Sequence, residues 1–153
     1  IFLRYIKNPN WEFEAGLFHQ SNGRGGPTER TWNRLYARIG YNTENFLIYV
    51  KPWLSVLKGD TYNQNNSNIT DYLGNGEVTL SYLWGEQDFS VMFRNQLESG
   101  FKRGAVELSY SIPIYGHIRA YAQAFMGYGQ SLIEYDHYTN AVGIGVSLND
   151  WLI

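Results

Sequence analysis

The chain has 153 residues, of which 44% are hydrophobic and 17% aromatic, and its 12 basic and 14 acidic side chains give a formal net charge of −2. This near balance argues against a nucleic-acid partner, because nucleic-acid-binding domains are normally basic. The absence of cysteine excludes disulfides, thiol nucleophiles and zinc–thiolate sites. No apolar run reaches the ~18 to 20 residues that a membrane-spanning helix needs. Thirteen Tyr, eight Phe and five Trp beside sixteen Gly instead favour an antiparallel β protein, and a membrane β-barrel in particular.

Apolar and polar residues alternate along nearly the whole chain, as they do on the two faces of a β-strand. The alternation predicts the end of one strand followed by eight full strands, over residues 1–6, 11–21, 31–41, 46–57, 71–84, 88–98, 105–112, 118–128 and 142–148. Long polar connections at 22–30, 58–70, 99–103 and 130–139 alternate with short turns at 42–45, 85–87 and 113–117. Long loops on one side and tight turns on the other are typical of an outer-membrane barrel whose long loops are extracellular.

The polar face of the predicted strands carries balanced charge. Its members are Glu12, Glu14, Glu77, Glu98 and Glu107 with Arg34, Arg38, Lys51, Arg94 and Arg119. In a narrow barrel lumen such charges must compensate one another, since unpaired buried charges are costly. This pattern favours a membrane barrel over a β-sandwich or a soluble lipocalin-like binder.

Aromatic residues near the strand ends of the apolar face resemble the girdles that mark the two membrane interfaces. On the short-turn side these are Trp11, Tyr41, Trp84, Phe89 and Trp151, and on the long-loop side Tyr72 and Tyr128.

Two polar residues, His19 and Ser21, interrupt the apolar face of the second predicted strand. They lie two residues apart, so they share a face with Cα atoms about 6.6 Å apart. Polar groups that face lipid are costly and need a reason. In the next strand Asn33 has the same parity, so a nucleophile, a base and a residue that orients the base could meet.

The pairing of these two strands can be predicted from the sequence. If His19 opposes Asn33, the apolar residues of both strands face each other, and Glu14 opposes Arg38 on the inner face. One register therefore gives apolar partners on the outer face and an opposite-charge pair on the inner face. The residues alone leave a second interpretation open, in which a strand end in the headgroup zone carries ordinary polar side chains.

Several segments resemble the outer-membrane phospholipase A family. They are His19-Gln20-Ser21-Asn22-Gly23-Arg24, Pro27-Thr28, Arg30-Thr31-Trp32-Asn33-Arg34-Leu35-Tyr36, Val50-Lys51-Pro52-Trp53, Gly127-Tyr128-Gly129-Gln130-Ser131-Leu132-Ile133, Val142-Gly143-Ile144-Gly145-Val146 and Leu148-Asn149-Asp150. The resemblance covers nearly the whole chain. It implies a twelve-stranded transmembrane β-barrel with a Ser-His-Asn triad on its lipid-facing surface.

By matching position, the resemblance implies that Ser21 is the nucleophile, His19 the base and Asn33 the orienting residue. It also implies a calcium-dependent hydrolase of membrane phospholipids that is active as a homodimer in the bacterial outer membrane. Residues 1–153 are then one β-barrel domain, the C-terminal part of a longer barrel.

The resemblance points to the backbone carbonyl of Arg24 as a calcium ligand. Glu29 stands where the family has a serine near the metal, which is a departure from the family pattern. Glu29 is therefore either a stronger oxygen ligand or an exposed residue that pairs with Arg30 or with solvent.

Other candidate sites are weaker. The glycine-rich stretch 22–26 could bind an anion, but no strand–helix context follows it, so we expect a flexible loop. His137 with Glu134 and Asp136 could bind a metal, although a solvated loop explains them better. The main rival to a phospholipase is a catalytically inert barrel, a pore or a structural protein, which leaves His19, Ser21 and Asn33 unexplained.

Overall fold

The structure, a computed structural model, describes residues 1–56, 65–96, 100 and 102–148. These residues form one antiparallel sheet of nine strands, in which each strand pairs with the next along the chain. The strands are β1 (Phe2–Asn8), β2 (Trp11–Ser21), β3 (Thr31–Asn42), β4 (Phe46–Val56), β5 (Gly76–Trp84), β6 (Gln87–Asn95), β7 (Gly104–Tyr115), β8 (Ile118–Tyr128) and β9 (Tyr138–Ser147). The sheet is not closed, and β1 and β9 form its two edges. The predicted all-β antiparallel meander is confirmed, including the short first strand.

Two short helical segments lie in the connections of the sheet. A 3-10 helix spans Gly26–Thr28, and an α-helix, α1, spans Thr70–Leu73. No helix of the described ranges is long and apolar enough to cross a membrane.

The two faces of the sheet differ as the alternation predicts. The outer face exposes large apolar side chains along successive strands, among them Leu17, Leu35, Ile39, Val50, Leu54, Leu80, Val91, Phe93, Leu108 and Val142. The predicted inner-face charges are half-buried or buried, apart from Glu98, which lies outside the described residues. A sheet with an exposed apolar face and a covered polar face is suited to lipid outside and a polar lumen inside.

Three predicted boundaries are wrong. The last strand begins at Tyr138, inside the predicted loop over 130–139, and not at Val142. Residues 71–73, which we predicted to begin the fifth full strand, belong to α1, and β5 begins at Gly76. Leu73 turns inward and is buried there, and Gly74 has a φ of 66°, which ends the helix. The predicted turn at 113–117 is shorter, because β7 continues to Tyr115 past an irregularity in its pairing with β8.

The aromatic girdle is confirmed in part. Trp11 and Tyr41 pack with ring centroids 4.8 Å apart at the short-turn end, and Trp84 is exposed beside the next turn. Tyr72 does not belong to the girdle, because it lies on α1 and packs against Tyr128, with ring centroids 5.3 Å apart. Trp151 lies outside the described residues.

The predicted pairing of β2 with β3 is confirmed along its whole length. His19 pairs with Asn33, Leu17 with Leu35 and Glu14 with Arg38 in one unbroken register. A slip of one residue would move every side chain to the other face, so the two faces exclude such a slip.

The inner face of β1, β2 and β3 is held by a network of charges. Arg38 Nη2 lies 3.1 Å from Glu12 Oε1 and 3.0 Å from Glu14 Oε2, and Arg4 approaches the same two carboxylates at 3.4 and 3.6 Å. The Tyr36 hydroxyl donates to Glu14 Oε1 at 2.8 Å. Two arginines and two glutamates therefore neutralise one another where side-chain exposure is as low as 10%, at Glu14.

The remaining inner cations combine carboxylates with other partners. Lys51 pairs with Glu77 at 3.5 Å, Arg94 donates to the carbonyl of Tyr128 at 2.7 Å and Arg119 to that of Glu86 at 2.7 Å. The guanidinium carbon of Arg34 lies 4.0 Å from the centroid of the Trp32 ring. Backbone carbonyls and aromatic faces therefore add to the carboxylates as partners of several lumen arginines.

An apolar core, which we did not predict from the sequence, fills the long-loop end of the inner face. It joins two strand tryptophans to residues of α1 and of the last long loop, namely Trp32, Trp53, Ile69, Leu73 and Tyr135. The rings of Trp32 and Trp53 meet edge to face at 5.9 Å, and their indole N–H groups donate to Ser55 Oγ and to the Gly74 carbonyl.

Replacing Arg38 by Met should destabilise the full-length protein by about 1–3 kcal/mol, because Glu12 and Glu14 would share only Arg4. The double variant with Glu14→Gln should recover part of that loss, since it removes one uncompensated charge. Urea unfolding in lipid vesicles measures both. The Lys51→Met variant is the control, since its pair is more exposed and a smaller loss is expected. A double variant as unstable as the sum of its single changes would contradict this account.

Candidate active site

His19 and Asn33 meet on the outer face of the β2–β3 hairpin. They are cross-strand partners, and His19 Nδ1 lies 2.7 Å from Asn33 Oδ1. Thr31, two residues before Asn33, directs its N–H and C=O away from β2, to the side chain of Asn66. By the alternation of antiparallel ladders, Asn33 also belongs to a non-hydrogen-bonded pair, in which opposing side chains approach most closely.

The hydrogen bond to Asn33 fixes the chemistry of the imidazole. Because the Asn33 amide oxygen only accepts, His19 Nδ1 carries the proton and donates it. The other ring nitrogen, Nε2, is then the basic one.

Ser21 is the last residue of β2 and is exposed on the same face as His19. It lies opposite Thr31 in the pairing register. A hydrogen bond between the Ser21 hydroxyl and the imidazole is not formed within the described residues. Such bonds are often long in free enzymes and tighten when substrate binds, and the spacing of the two residues permits this one.

The loop that follows Ser21 is cross-braced by Asn22. The Asn22 side-chain oxygen accepts from the N–H groups of Arg30 and Arg24 at 3.0 and 3.3 Å, and its amide nitrogen donates to the Thr28 carbonyl at 2.7 Å. The Asn22 N–H donates to the Arg30 carbonyl at 3.1 Å. One side chain therefore holds both ends of the 22–30 loop.

The carbonyl groups of this loop fall into two sets. Each carbonyl from Gly25 to Arg30 accepts a hydrogen bond from within the loop or from Asn22. The carbonyls of Asn22, Gly23 and Arg24 accept none from the described residues. The Arg24 carbonyl, where the resemblance expects a calcium ligand, is thus one of three oxygen donors left in the loop after Ser21.

Glu29 lies in the same loop and is exposed. Its N–H donates to the Gly26 carbonyl at 3.0 Å, and its own carbonyl accepts from Arg30 Nη1 at 2.9 Å. Arg30 also donates to the Pro27 carbonyl at 2.9 Å and lies over the Tyr135 ring. The predicted alternative of a Glu29–Arg30 side-chain pair is therefore wrong, because Arg30 binds carbonyl groups instead.

A group of three or more His, Asp or Glu side chains able to hold a metal is absent from the described part of the chain. The loop offers oxygen donors of the kind that calcium prefers, but fewer than the six to eight oxygens that calcium binds. Donors from water or from another chain would have to complete such a site.

The weaker metal candidate near residue 137 is not assembled either. His137 Nδ1 lies 3.3 Å from Asp136 Oδ1, whereas Glu134 accepts from the Ser131 hydroxyl at 3.3 Å. His137 and Asp136 are both exposed, as a solvated loop requires.

Two groups of residues behind the site were missed by the sequence reasoning. On the inner face, Arg34 donates to Gln20 at 3.1 Å across the strands that carry His19 and Asn33. Above the sheet, the buried Asn66 binds the backbone of Thr31, and Asn65 donates to the Gly26 carbonyl at 2.9 Å. The run of asparagines at 65, 66 and 68 is the only sequence signal that points to this layer.

Tyr135 connects the same layer to the last long loop. Its hydroxyl donates to Asn68 Oδ1 at 2.5 Å. Burial raises the pKa of Tyr135, Asp136 adds to this, and Arg30 opposes it. The hydroxyl therefore remains a neutral donor at physiological pH.

Comparison with known proteins gives consistent results. A family model described as Phospholipase A1 matches residues 4–148. Phospholipase A1 of Proteus vulgaris is 45% identical over 137 residues, covering 90% of this chain and 45% of the relative. Phospholipase A1 of Escherichia coli K12 is 42% identical over 139 residues, covering 91% of this chain and 46% of the relative. The chain thus spans less than half the length of these relatives.

Solved structures give the same fold. Outer membrane phospholipase A from Escherichia coli superposes with a TM-score of 0.86 at 37% identity, over 97% of this chain and 60% of that chain. The Salmonella typhi outer membrane phospholipase dimer with bound calcium gives a TM-score of 0.87 at 37% identity, over 97% and 58%. An active-site mutant of the Escherichia coli protein, with Asn changed to Ala, gives a TM-score of 0.86 at 38% identity, over 97% of this chain and 58% of that chain.

These structural matches confirm the outer-membrane barrel fold and do not support the lipocalin-like alternative. The family model spans almost the entire chain, and the identity to the relatives is high. The chain therefore belongs to the phospholipase A1 family.

Proposed function

We propose that this chain is the catalytic part of an outer-membrane phospholipase that hydrolyses acyl ester bonds of phospholipids. The hydrogen bond between His19 and Asn33 on the lipid-facing surface carries the proposal. It orients a base two residues from a serine, in a place where polar side chains would otherwise be costly. A catalytically inert barrel accounts for the strands and the lumen but gives no reason for this arrangement.

Ser21 acts as the nucleophile and His19 Nε2 as the general base. As the Ser21 oxygen bonds to the ester carbonyl carbon, its proton passes to Nε2. The ester C–O bond then breaks, and Nε2 returns the proton to the departing lysophospholipid. Water attacks the acyl-serine, gives its proton to Nε2, and releases the fatty acid as Ser21 regains its hydrogen.

Asn33 holds the imidazole in the Nδ1–H tautomer during both half-reactions. It is neutral, so it stabilises the imidazolium less than an aspartate would.

The position of the site explains access to substrate. Ser21 lies at the long-loop end of β2, while exposed Leu17, Leu35 and Leu54 continue the same face toward the membrane centre. A phospholipid of the outer leaflet could rest its acyl chains on these leucines and its ester group near Ser21. It would reach the site by lateral diffusion in the bilayer.

Calcium is the cofactor that the site would take. The Arg24 carbonyl and the Glu29 carboxylate are the donors that this loop offers. When bound, calcium would supply positive charge for the oxyanion that forms during acyl transfer. From the family resemblance, we propose that the active form is a homodimer. The related Salmonella typhi protein is a dimer with bound calcium.

Replacing Ser21 by Ala in the full-length protein should lower phospholipid hydrolysis by about a thousandfold or more, because the nucleophile is lost. Folding should be unchanged, since Ser21 is exposed. Release of fatty acid from mixed micelles measures activity, and heat-dependent gel mobility measures folding. The control is Ser67→Ala, which removes another exposed hydroxyl. Substantial activity in the Ser21 variant would exclude it as the nucleophile.

His19→Ala should abolish hydrolysis as Ser21→Ala does, whereas Asn33→Ala should retain more activity, about 10- to 100-fold below the unaltered protein. Packing on β3 partly replaces an orienting residue, but nothing replaces the base. Steady-state kinetics on the folded variants compare the two losses. Equal losses would show that Asn33 does more than orient the imidazole.

Glu29 tests the calcium site. Glu29→Ser should remain active but need severalfold more calcium, and Glu29→Ala should need still more, because it removes the last side-chain oxygen. Hydrolysis measured against free calcium concentration gives the half-saturating value. Glu44→Ser, at an exposed turn on the opposite end of the sheet, is the control. An unchanged calcium requirement in both Glu29 variants would exclude the carboxylate as a ligand.

A further inference from the structure

Asn66 is a polar residue with an unusual environment. Its exposure is 1%, the lowest of the buried polar residues described. Its amide nitrogen donates to the Thr31 carbonyl at 2.9 Å, and its side-chain oxygen accepts from the Thr31 N–H at 3.2 Å. Both polar groups of the Asn66 side chain therefore bind the backbone of Thr31.

Thr31 needs such a partner because of its place in the sheet. The described pairing of β3 with β4 extends from Asn42 only as far as Asn33 opposite Val56. The next outward-directed backbone groups on that side of β3 are those of Thr31. A carboxamide has the same donor and acceptor as a peptide group, so Asn66 binds Thr31 as the backbone of a neighbouring strand would.

The other side of Thr31 faces the nucleophile. Thr31 is the cross-strand partner of Ser21, and beyond that pair the Asn22 N–H donates to the Arg30 carbonyl. The end of the hairpin is therefore held between Asn22 on one side and Asn66 on the other.

Asn66 is itself anchored to the apolar core. Its backbone carbonyl accepts from the Ile69 N–H at 3.1 Å, and Ile69 is buried against Trp32 and Trp53. The neighbouring Asn65 donates to the Gly26 carbonyl at 2.9 Å. The 65–69 segment therefore connects the apolar core to the end of β3 and to the loop after Ser21.

We propose that Asn66 is a positioning residue for Ser21, acting through the backbone of Thr31. The inference rests on the proposed function, because it assigns the effect of Asn66 to a catalytic nucleophile. A misplacement of about 1 Å in a reacting group costs about a hundredfold in rate. Loss of the two hydrogen bonds between Asn66 and Thr31 should therefore reduce turnover more than substrate binding, which depends on the apolar face of β2, β3 and β4.

The test uses Asn66→Ala in the full-length protein. We expect kcat to fall by about 10- to 100-fold, KM to stay within about twofold, and labelling of Ser21 by a fluorophosphonate to slow in parallel with kcat. The matched control is Asn45→Ala, which removes an asparagine hydrogen bond to the Leu83 carbonyl at the opposite end of the sheet and leaves Thr31 untouched. The control should keep the kcat and labelling rate of the unaltered protein.

Amide hydrogen exchange tests the hydrogen bond between the Thr31 N–H and Asn66 without an activity measurement. In the unaltered protein the Thr31 N–H should be protected, although it lies beyond the last described β3–β4 pair. Asn66→Ala should increase its exchange, and Asn45→Ala should not. If Asn66→Ala does not fold, Asn66→Ser keeps a neutral polar group at this buried position, and we expect it to show a smaller fall in kcat.

The outcomes separate this inference from the proposed function. Hydrolysis by the Ser21→Ala variant would overturn the proposed function. If Ser21 is essential but Asn66→Ala has normal kcat and labelling, the positioning role is wrong. An unprotected Thr31 N–H in the unaltered protein would also overturn it, whatever the variants do.

Discussion

The pairing register between β2 and β3 is the constraint on which the candidate active site depends. In this register His19 lies beside Asn33 on the outer face, and Glu14 lies beside Arg38 on the inner face. A shift by one residue would turn leucines into the lumen and charges toward lipid, at a cost on both faces. Any displacement of the His–Asn pair along the strands would therefore disrupt the pairing of the entire hairpin.

The two faces of the sheet are suited to different surroundings. Outside, leucine, isoleucine, valine and phenylalanine side chains are exposed, and His19 and Ser21 lie at the end of a strand. Inside, arginines and glutamates are close enough to neutralise one another, and other arginines use carbonyls and indole rings. A catalytic group on the lipid face is acceptable near the loops, since polar headgroups and loop backbone are close there.

The long-loop end is organised around buried tryptophans. Trp32 and Trp53 rise from β3 and β4, and Ile69, Leu73 and Tyr135 cover them. This core fixes a layer of asparagines above the hairpin, in which Asn22 braces the loop after Ser21 and Asn66 completes the pairing of Thr31. Three features therefore hold the site in place: the pairing of β2 with β3, the apolar core at the long-loop end, and the side-chain amides of Asn22 and Asn66.

The sequence by itself predicted the strands, the two faces and the β2–β3 register. The period of two fixes the face on which each side chain lies, and the opposition of Glu14 and Arg38 favours one alignment among those that preserve the faces. In that alignment His19 lies next to Asn33. The sequence did not reveal α1, the tryptophan core or the roles of Asn65 and Asn66. Those depend on contacts between segments far apart in the chain, such as Asn66 with Thr31 and Tyr135 with Asn68. Only the tertiary structure decides such contacts, because an asparagine in a loop has no periodicity, and its partner is whichever backbone group the folded sheet leaves without one.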